Sequence, residues 1–187
     1  MAVIRKFKAI RPTSEMAEAV AALPYDVVNS EEAREMTKDK PYSFLHVDKA
    51  EIDLPVGTDI YSPQVYAKAK ENLDKLVSDG ILVQDNKPML YVYELTMDGR
   101  SQTGLVACTS IDEYLNGIIK KHELTREDKE QDRIRHVDIC NANTGPIFLA
   151  YRTVDEISAI IENVKKNAPV YDFTAEDGIK HRAWVID

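Results

Sequence analysis

The sequence has little cysteine, with only Cys108 and Cys140 in 187 residues. Neither belongs to a CxxC pair, which argues against a disulfide framework and against a cysteine-based zinc site. Reduced thiols are the expectation, and with them a cytoplasmic protein. Long apolar runs are also missing. No stretch approaches the roughly 18 to 20 consecutive apolar residues of a membrane span, so no membrane association is expected. The opening MAVIRKFKAIRP has no apolar h-region and no small-residue cleavage site, so it does not read as a signal peptide. Surplus basic charge is missing too. The formal net charge is −8, whereas a protein that grips nucleic acid through its phosphates needs a basic surface. That makes a nucleic-acid role the weakest of the functional expectations. Finally, the common one-line signatures are absent. There is no GxGxxG, no GxxxxGK[ST], no GxSxG and no HExxH, because His122-Glu123 is followed by Leu-Thr-Arg. No metal site is expected.

What is present is a mixed pattern of helices and strands. The clearest helix follows Ser62 as N-cap and Pro63 at its first position, and stops before Gly80. Val65, Ala69, Leu73, Leu76 and Val77 form its apolar stripe. Met89–Leu95 and Gln102–Thr109 alternate in hydrophobicity and flank Asp98-Gly99, a strong hairpin signal. Val170–Phe173 and His181–Ile186 predict a second hairpin. Further strands are expected at Val3–Ile10, Ser43–Val47, Ile81–Val83 and Ile147–Tyr151, and an extended piece at Tyr25–Val28. Helices are expected over Glu15–Leu23, after Asn29 with Glu32, after Ser110 with Glu113, and after Thr153 with Glu156, the last three by capping boxes. The last of these helices presents Val154, Ile157, Ile160, Ile161 and Val164. Interspersed hairpins and helices predict the α+β (mixed α/β) class, with a largely antiparallel sheet packed by amphipathic helices. One compact unit over residues 1–187 is expected, and the Glu51–Ser62 loop is the best boundary if the chain has one.

One segment does not fit a core-forming pattern. Between Ile119 and His136, 11 of 18 residues are charged, and Thr125–Arg133 contains no apolar residue. Thr125 with Asp128 predicts a helix starting at Arg126. Acidic residues in its first turn and Arg133, Arg135 and His136 in its last complement the helix dipole. Those features describe a well-capped solvated helix. Without an apolar face, however, a short helix is not held by packing. Ion pairs to the body, a partner subunit or a bound anion would each order it. Arg126, Arg133, Arg135 and His136 are candidate donors to a phosphate or carboxylate, together with Asn141, Asn143, Thr144 and Gly145 of the adjacent turn. His122 and Glu123 are candidates for an acid/base pair, and Asp26 in LPYDVV is a second candidate base. For each histidine, a surface or hydrogen-bonding role competes with the catalytic one.

The stretches IRKFKAIRP (Ile4–Pro12), LPYDVV (Leu23–Val28), SFLHV (Ser43–Val47), QTGLV (Gln102–Val106), HELTREDKEQDRIRH (His122–His136) and NANTGPIFL (Asn141–Leu149) occur in this order along the chain. Together they resemble the amino-terminal half of domain-of-unknown-function family 1015. Members of that family are longer, and their second half carries an Asp-Gly-His-His-Arg motif. That motif resembles the phosphate-binding motif of the free serine kinases and, through them, ParB and sulfiredoxin-like folds. The motif is absent from this sequence. The resemblance implies the amino-terminal portion of a longer, nucleotide-dependent kinase-like protein. The implied reaction is phosphoryl transfer to a hydroxylated metabolite such as free serine, with ATP or ADP and Mg²⁺ as cofactors of the longer form. This chain by itself is expected to be inactive. Two competing expectations are a non-catalytic regulatory or protein-interaction domain, with homo-oligomer formation, and a ParB-like nucleic-acid-associated protein.

Overall fold

The computed structural model describes residues 2–122 and 125–187. In chain order the described elements are β1 (Ile4–Arg5), β2 (Ile10–Pro12), α1 (Ala17–Val20), α2 (Ser30–Thr37), α3 (Leu45–Asp48), a 3-10 turn (Ala50–Asp53), α4 (Pro63–Ser78), β3 (Leu82–Gln84), β4 (Leu90–Met97), β5 (Arg100–Val106), β6 (Cys108–Thr109), α5 (Ile111–Leu115), α6 (Glu127–Cys140), α7 (Asp155–Val164), β7 (Tyr171–Thr174) and β8 (Lys180–Ile186). The class is mixed α+β with antiparallel pairing. No helix among the described residues is long and apolar enough to cross a membrane. The chain divides into two compact units, one made of residues 1–18, 84–124 and 149–187, the other of residues 19–83 and 125–148.

The first unit is built on a four-stranded sheet in the order β5-β4-β8-β7. The β4–β5 hairpin turns at Asp98 and Gly99, with φ of 50° and 74°. Two successive positive φ values are what a two-residue hairpin loop requires, and Asp-Gly supplies them at low cost. Alternation along β4 puts Val92 and Glu94 on one face and Tyr91 and Tyr93 on the other. Val92 and Trp184 pack there against Ile161, with Ile157, Val164 and Ile186 around them. Ile160 of the expected α7 stripe is exposed instead. The N-cap of α7 is Val154, without a side-chain cap bond, rather than Thr153. Ser110 does cap α5 by accepting from the Glu113 N–H. The Glu113 carboxylate does not return to that cap and accepts the Val3 N–H at 2.7 Å.

In the second unit the α4 stripe is buried as expected at Val65, Ala69, Leu73 and Leu76, joined by Tyr66, while Val77 is exposed. Ser62 is the N-cap residue but makes no side-chain cap bond, so Pro63 at the first position defines the start. The Asn29–Glu32 capping box is complete. Arg34 of α2 donates to the carbonyls of Ile52, of Glu51 at 2.6 Å and of Leu54 at 2.8 Å, closing the 3-10 turn.

Several short elements differ from their sequence-based expectation. SFLHV is not a strand. Leu45 and Val47 are buried in the helical turn α3, a case where a short apolar run fits either period. Tyr25–Val28 is a turn, with the Val27 N–H donating to the Pro24 carbonyl at 3.2 Å, not an extended piece. The first helix is confined to Ala17–Val20, and the first strand is broken into β1 and β2. Ile147–Tyr151 has no regular structure. Its strand-forming residues find no backbone partner among the described residues.

His46, expected in or near the core, is partly buried. It faces Asp53 Oδ1 through Nδ1 at 2.9 Å and the Lys40 carbonyl through Nε2 at 3.2 Å. Asn72 donates to the His46 carbonyl and to Asp53 Oδ2, both at 2.7 Å. With acceptors at both ring nitrogens the imidazolium is favoured, and Asp53 raises the His46 pKa above 6.5. A raised folded pKa means this stabilisation is fully present below the unfolded value and is lost as pH rises through the folded one. We therefore expect urea resistance of this unit to decline as pH is raised upward from 6.5, and His46→Gln to flatten that decline. An unchanged slope in the variant would remove His46 as its source.

Candidate functional site

The charged segment forms α6, and its start differs from expectation. Arg126 is the N-cap, with φ −69° and ψ 135°, and makes no side-chain cap bond, so the Thr125–Asp128 capping box is not formed. Arg126 instead pairs with Asp128 at 2.9 Å in solvent. Glu127, Asp128 and Glu130 lie in the first turn, where the N-terminal partial charge favours carboxylates. The helix runs on past His136 to Cys140 and ends at Asn141, whose φ of 51° and ψ of 36° are left-handed. Asparagine tolerates that conformation better than most residues.

Polar hooks hold α6 where an apolar face is lacking. Tyr66 Oη donates to Asp132 Oδ1 at 2.9 Å, and Lys129 Nζ donates to Tyr61 Oη at 3.1 Å. Burial, reinforced by the hydrogen bond to Asp132, pushes the Tyr66 phenol up to about 12, which keeps it a donor. His136 is 3% exposed and donates through Nε2 to the Val47 carbonyl at 3.0 Å. Thr144 Oγ1 donates to Asp48 Oδ1 at 2.6 Å just beyond the helix. Hydrogen bonds to the body thus hold the helix, whereas its ion pairs among the described residues, Arg126 with Asp128 and Arg133 with Asp132, are internal to the segment.

Beside these hooks lies an open cleft of about 560 Å³, lined by Tyr25, Thr125, Lys129, Glu130, Arg133, Ile134, Val137 and Asp138. The Arg133 guanidinium sits over the Tyr25 ring, 4.4 Å from its centroid, and its Nε donates to Asp132 Oδ2 at 3.1 Å. Stacking and ion pairing together fix its plane. A smaller hollow of about 270 Å³ continues past Val137 and Asp138 to Asn141, Ala142 and Asn143.

Of the residues named from sequence, Arg133 lines the cleft and Asn141 and Asn143 line the adjoining hollow. Asp26 is exposed in the turn next to Tyr25. Arg135 is exposed on α6. Gly145 is exposed at the end of the Asn/Thr turn. Arg126, His136 and Thr144 are occupied by the contacts given above. His122 lies at an exposed bend in the other unit, and Glu123 falls outside the described residues. Sequence reasoning did not assign roles to Tyr25 and Lys129. The aromatic in LPYDVV was the available signal for the first, while Lys129 is one charge among many in its segment.

A family description covers almost the whole chain: the model for "Protein of unknown function (DUF1015)" matches residues 4–187. The chain belongs to the DUF1015 family. No curated protein and no solved structure matches it. The matched span of the family includes both compact units, the α6 cleft among them.

Proposed function

We propose that this DUF1015 chain is the ligand-binding part of a kinase-like protein, and that the α6 cleft holds a small phosphate-bearing or zwitterionic metabolite. The observation that carries this reading is the Arg133 guanidinium, fixed on the Tyr25 ring at 4.4 Å in a cleft that Lys129 also lines. A pre-positioned cation against an apolar wall binds an anionic group with little ordering cost. Glu130 and Asp138 line the same cleft and suit the ammonium or hydroxyl end of a molecule such as free serine. Phosphoryl transfer further requires a base near the acceptor hydroxyl and a divalent ion with the nucleotide. Asp26, next to Tyr25, is the candidate base in this unit, and Mg²⁺ with ATP or ADP is the cofactor set that the family resemblance implies.

Calorimetric titration of this chain, and of a longer family protein, with serine, with ADP and with Mg·ATP tests the reading. Saturable binding is expected to weaken about tenfold or more in Arg133→Ala, the effect of losing one charge-assisted contact. No binding by either protein, or binding indifferent to Arg133, would rule the reading out. A second reading, a protein-interaction domain, is favoured by Ile147 and Phe148. These follow the Asn/Thr turn and are 75% and 79% exposed. Exposed apolar residues in sequence are a feature of docking segments. Light scattering on Phe148→Asp against the unaltered chain distinguishes it. A loss of assembly supports interaction, and an unchanged mass removes it.

A further inference from the structure

The four-stranded sheet has two edges, and they are not alike. β7 is four residues long and carries Asp172. β5 is seven residues long, pairs with β4 alone and contains neither proline nor lysine, the residues that commonly guard an edge. Its hairpin turn closes on Met97 and Arg100. Counting from that pair, Arg100, Gln102, Gly104 and Val106 turn their backbone groups to β4, whereas Ser101, Thr103 and Leu105 turn theirs outward. No backbone group among the described residues pairs with that outward side.

Gly104 adds a second feature to this edge. It is the cross-strand partner of Tyr93, whose side chain is 39% exposed. A Cβ at Gly104 would meet no atom within 4 Å, and its φ lies outside the left-handed region. Neither crowding nor backbone conformation calls for glycine there. The glycine leaves the flank of Tyr93 open at the sheet edge, and an aromatic side chain on a neighbouring strand fills such a gap.

The complementary half is on the same chain. Ile147–Tyr151 is a run of strand-forming residues whose backbone has no partner among the described residues. The segment carries no charge, and neither do Ser101, Thr103 and Leu105, so like-charge repulsion does not oppose contact here although the chain has a net charge of −8.

We infer that two copies of this chain pair by strand addition. Ile147–Tyr151 of each copy lies antiparallel along the open edge of β5 of the other, with Phe148 opposite Gly104 and against Tyr93. In that register Ile147 and Leu149 meet the outward backbone groups of Leu105 and Thr103, and Ala150 faces Gln102. Reciprocal addition is self-complementary and closes at two copies. It covers four large apolar side chains twice, on the order of 1,500 Å² in total, the scale of a specific interface. This inference rests on the interaction reading of Ile147 and Phe148 and gives it a partner; it is independent of the α6 cleft.

Light scattering at chain concentrations up to about 100 μM, where weak association is still populated, compares the unaltered chain with Phe148→Asp and Gly104→Lys. The lysine enters the open space beside Tyr93 without straining β5, and fluorescence of the buried Trp184 reports whether the sheet stays intact. The unaltered chain is expected at twice the mass of one chain, and both variants at the mass of one. A second measurement uses Gln102→Cys and Ala150→Cys, each in a Cys108→Ser background. The two positions face each other in a non-hydrogen-bonded pair with Cα atoms about 4.5 Å apart, within disulfide range. Mixed and oxidised, the two proteins are expected to give a covalent dimer that neither gives alone. A monomeric unaltered chain would overturn the inference. So would a mixture that gives no more covalent dimer than the single variants do. A dimer lost in Phe148→Asp but kept in Gly104→Lys would remove β5 as the partner surface while leaving the interaction reading in place.

Discussion

Glu94→Ala is expected to destabilise the sheet unit by about 3–5 kcal/mol, the cost of removing one partner from a buried ion cluster. The carboxylate is enclosed and holds Lys165, Arg182 and Thr103 together. Without it, two cations remain side by side with no counter-charge between them. Trp184 is the sole tryptophan and is buried in the same unit, so its fluorescence in urea reads this transition locally. Replacing Glu94, Lys165 and Arg182 together with leucine and methionine is expected to recover most of the loss, because apolar residues of similar volume replace a buried ion cluster at little net cost. The pH dependence has a definite sign. Burial works to raise the Glu94 pKa, but donation from Lys165, Thr103 and Arg182 outweighs it and holds the carboxyl below its ordinary 4.5. A depressed folded pKa gives stabilisation that is complete above the unfolded value and is lost as pH falls through the folded one. The urea midpoint of the unaltered chain should therefore fall on acidification below 4.5, with a shallower fall in Glu94→Gln. Equal slopes in the two proteins would show that Glu94 is not the linked group.

What the sequence made legible follows from how local each signal is. The α4 helix was readable because Ser62, Pro63 and Gly80 punctuate it and five apolar residues keep one phase, four of them buried. The β4–β5 hairpin was readable because Asp98-Gly99 fits a turn that few residue pairs tolerate. SFLHV misled because a buried turn of helix and a buried strand look alike over five residues. IFLAY misled because strand propensity describes a fit to neighbours, and Ile147–Tyr151 has no backbone partner among the described residues. The Glu94 cluster was out of reach for a different reason. A glutamate in YVYELTM meets Thr103 and Arg182 only through cross-strand register, and Lys165 only through the packing of α7. The α6 region was half legible. The lack of an apolar face showed that something other than a greasy stripe must order it, but not that hydrogen bonds to the body would do so. Which of its residues would be occupied as hooks and which would face a cleft depended on Tyr25, Tyr61 and Tyr66, far away in sequence.

That division of labour within α6 leads to the second large effect. His136→Ala is expected to cost about 3 kcal/mol of local stability and to release the end of the helix. Val47 lies in the last turn of α3, where a backbone carbonyl has no partner within its own helix. His136 Nε2 satisfies it at 3.0 Å. Removing the imidazole leaves a buried carbonyl unpaired, at about 1–3 kcal/mol, and a void beside it adds to the loss. Cys140 provides the readout, because it lies one turn further along α6, buried, while the other cysteine, Cys108, is exposed. In a Cys108→Ser background, modification of Cys140 by a thiol reagent requires α6 to open. A loss of about 3 kcal/mol should raise that rate roughly a hundredfold when opening is a rapid local pre-equilibrium. Arg126→Ala, which removes only a solvent-exposed pair, should leave the rate within a factor of about two. If His136→Ala left Cys140 as protected as before, His136 would not anchor the helix. The alternative role as an anion donor, which the sequence also allowed, would then return to consideration. If Arg126→Ala opened the helix as far as His136→Ala, the surface charges would be holding α6, and the tyrosine and histidine hooks would be secondary to them.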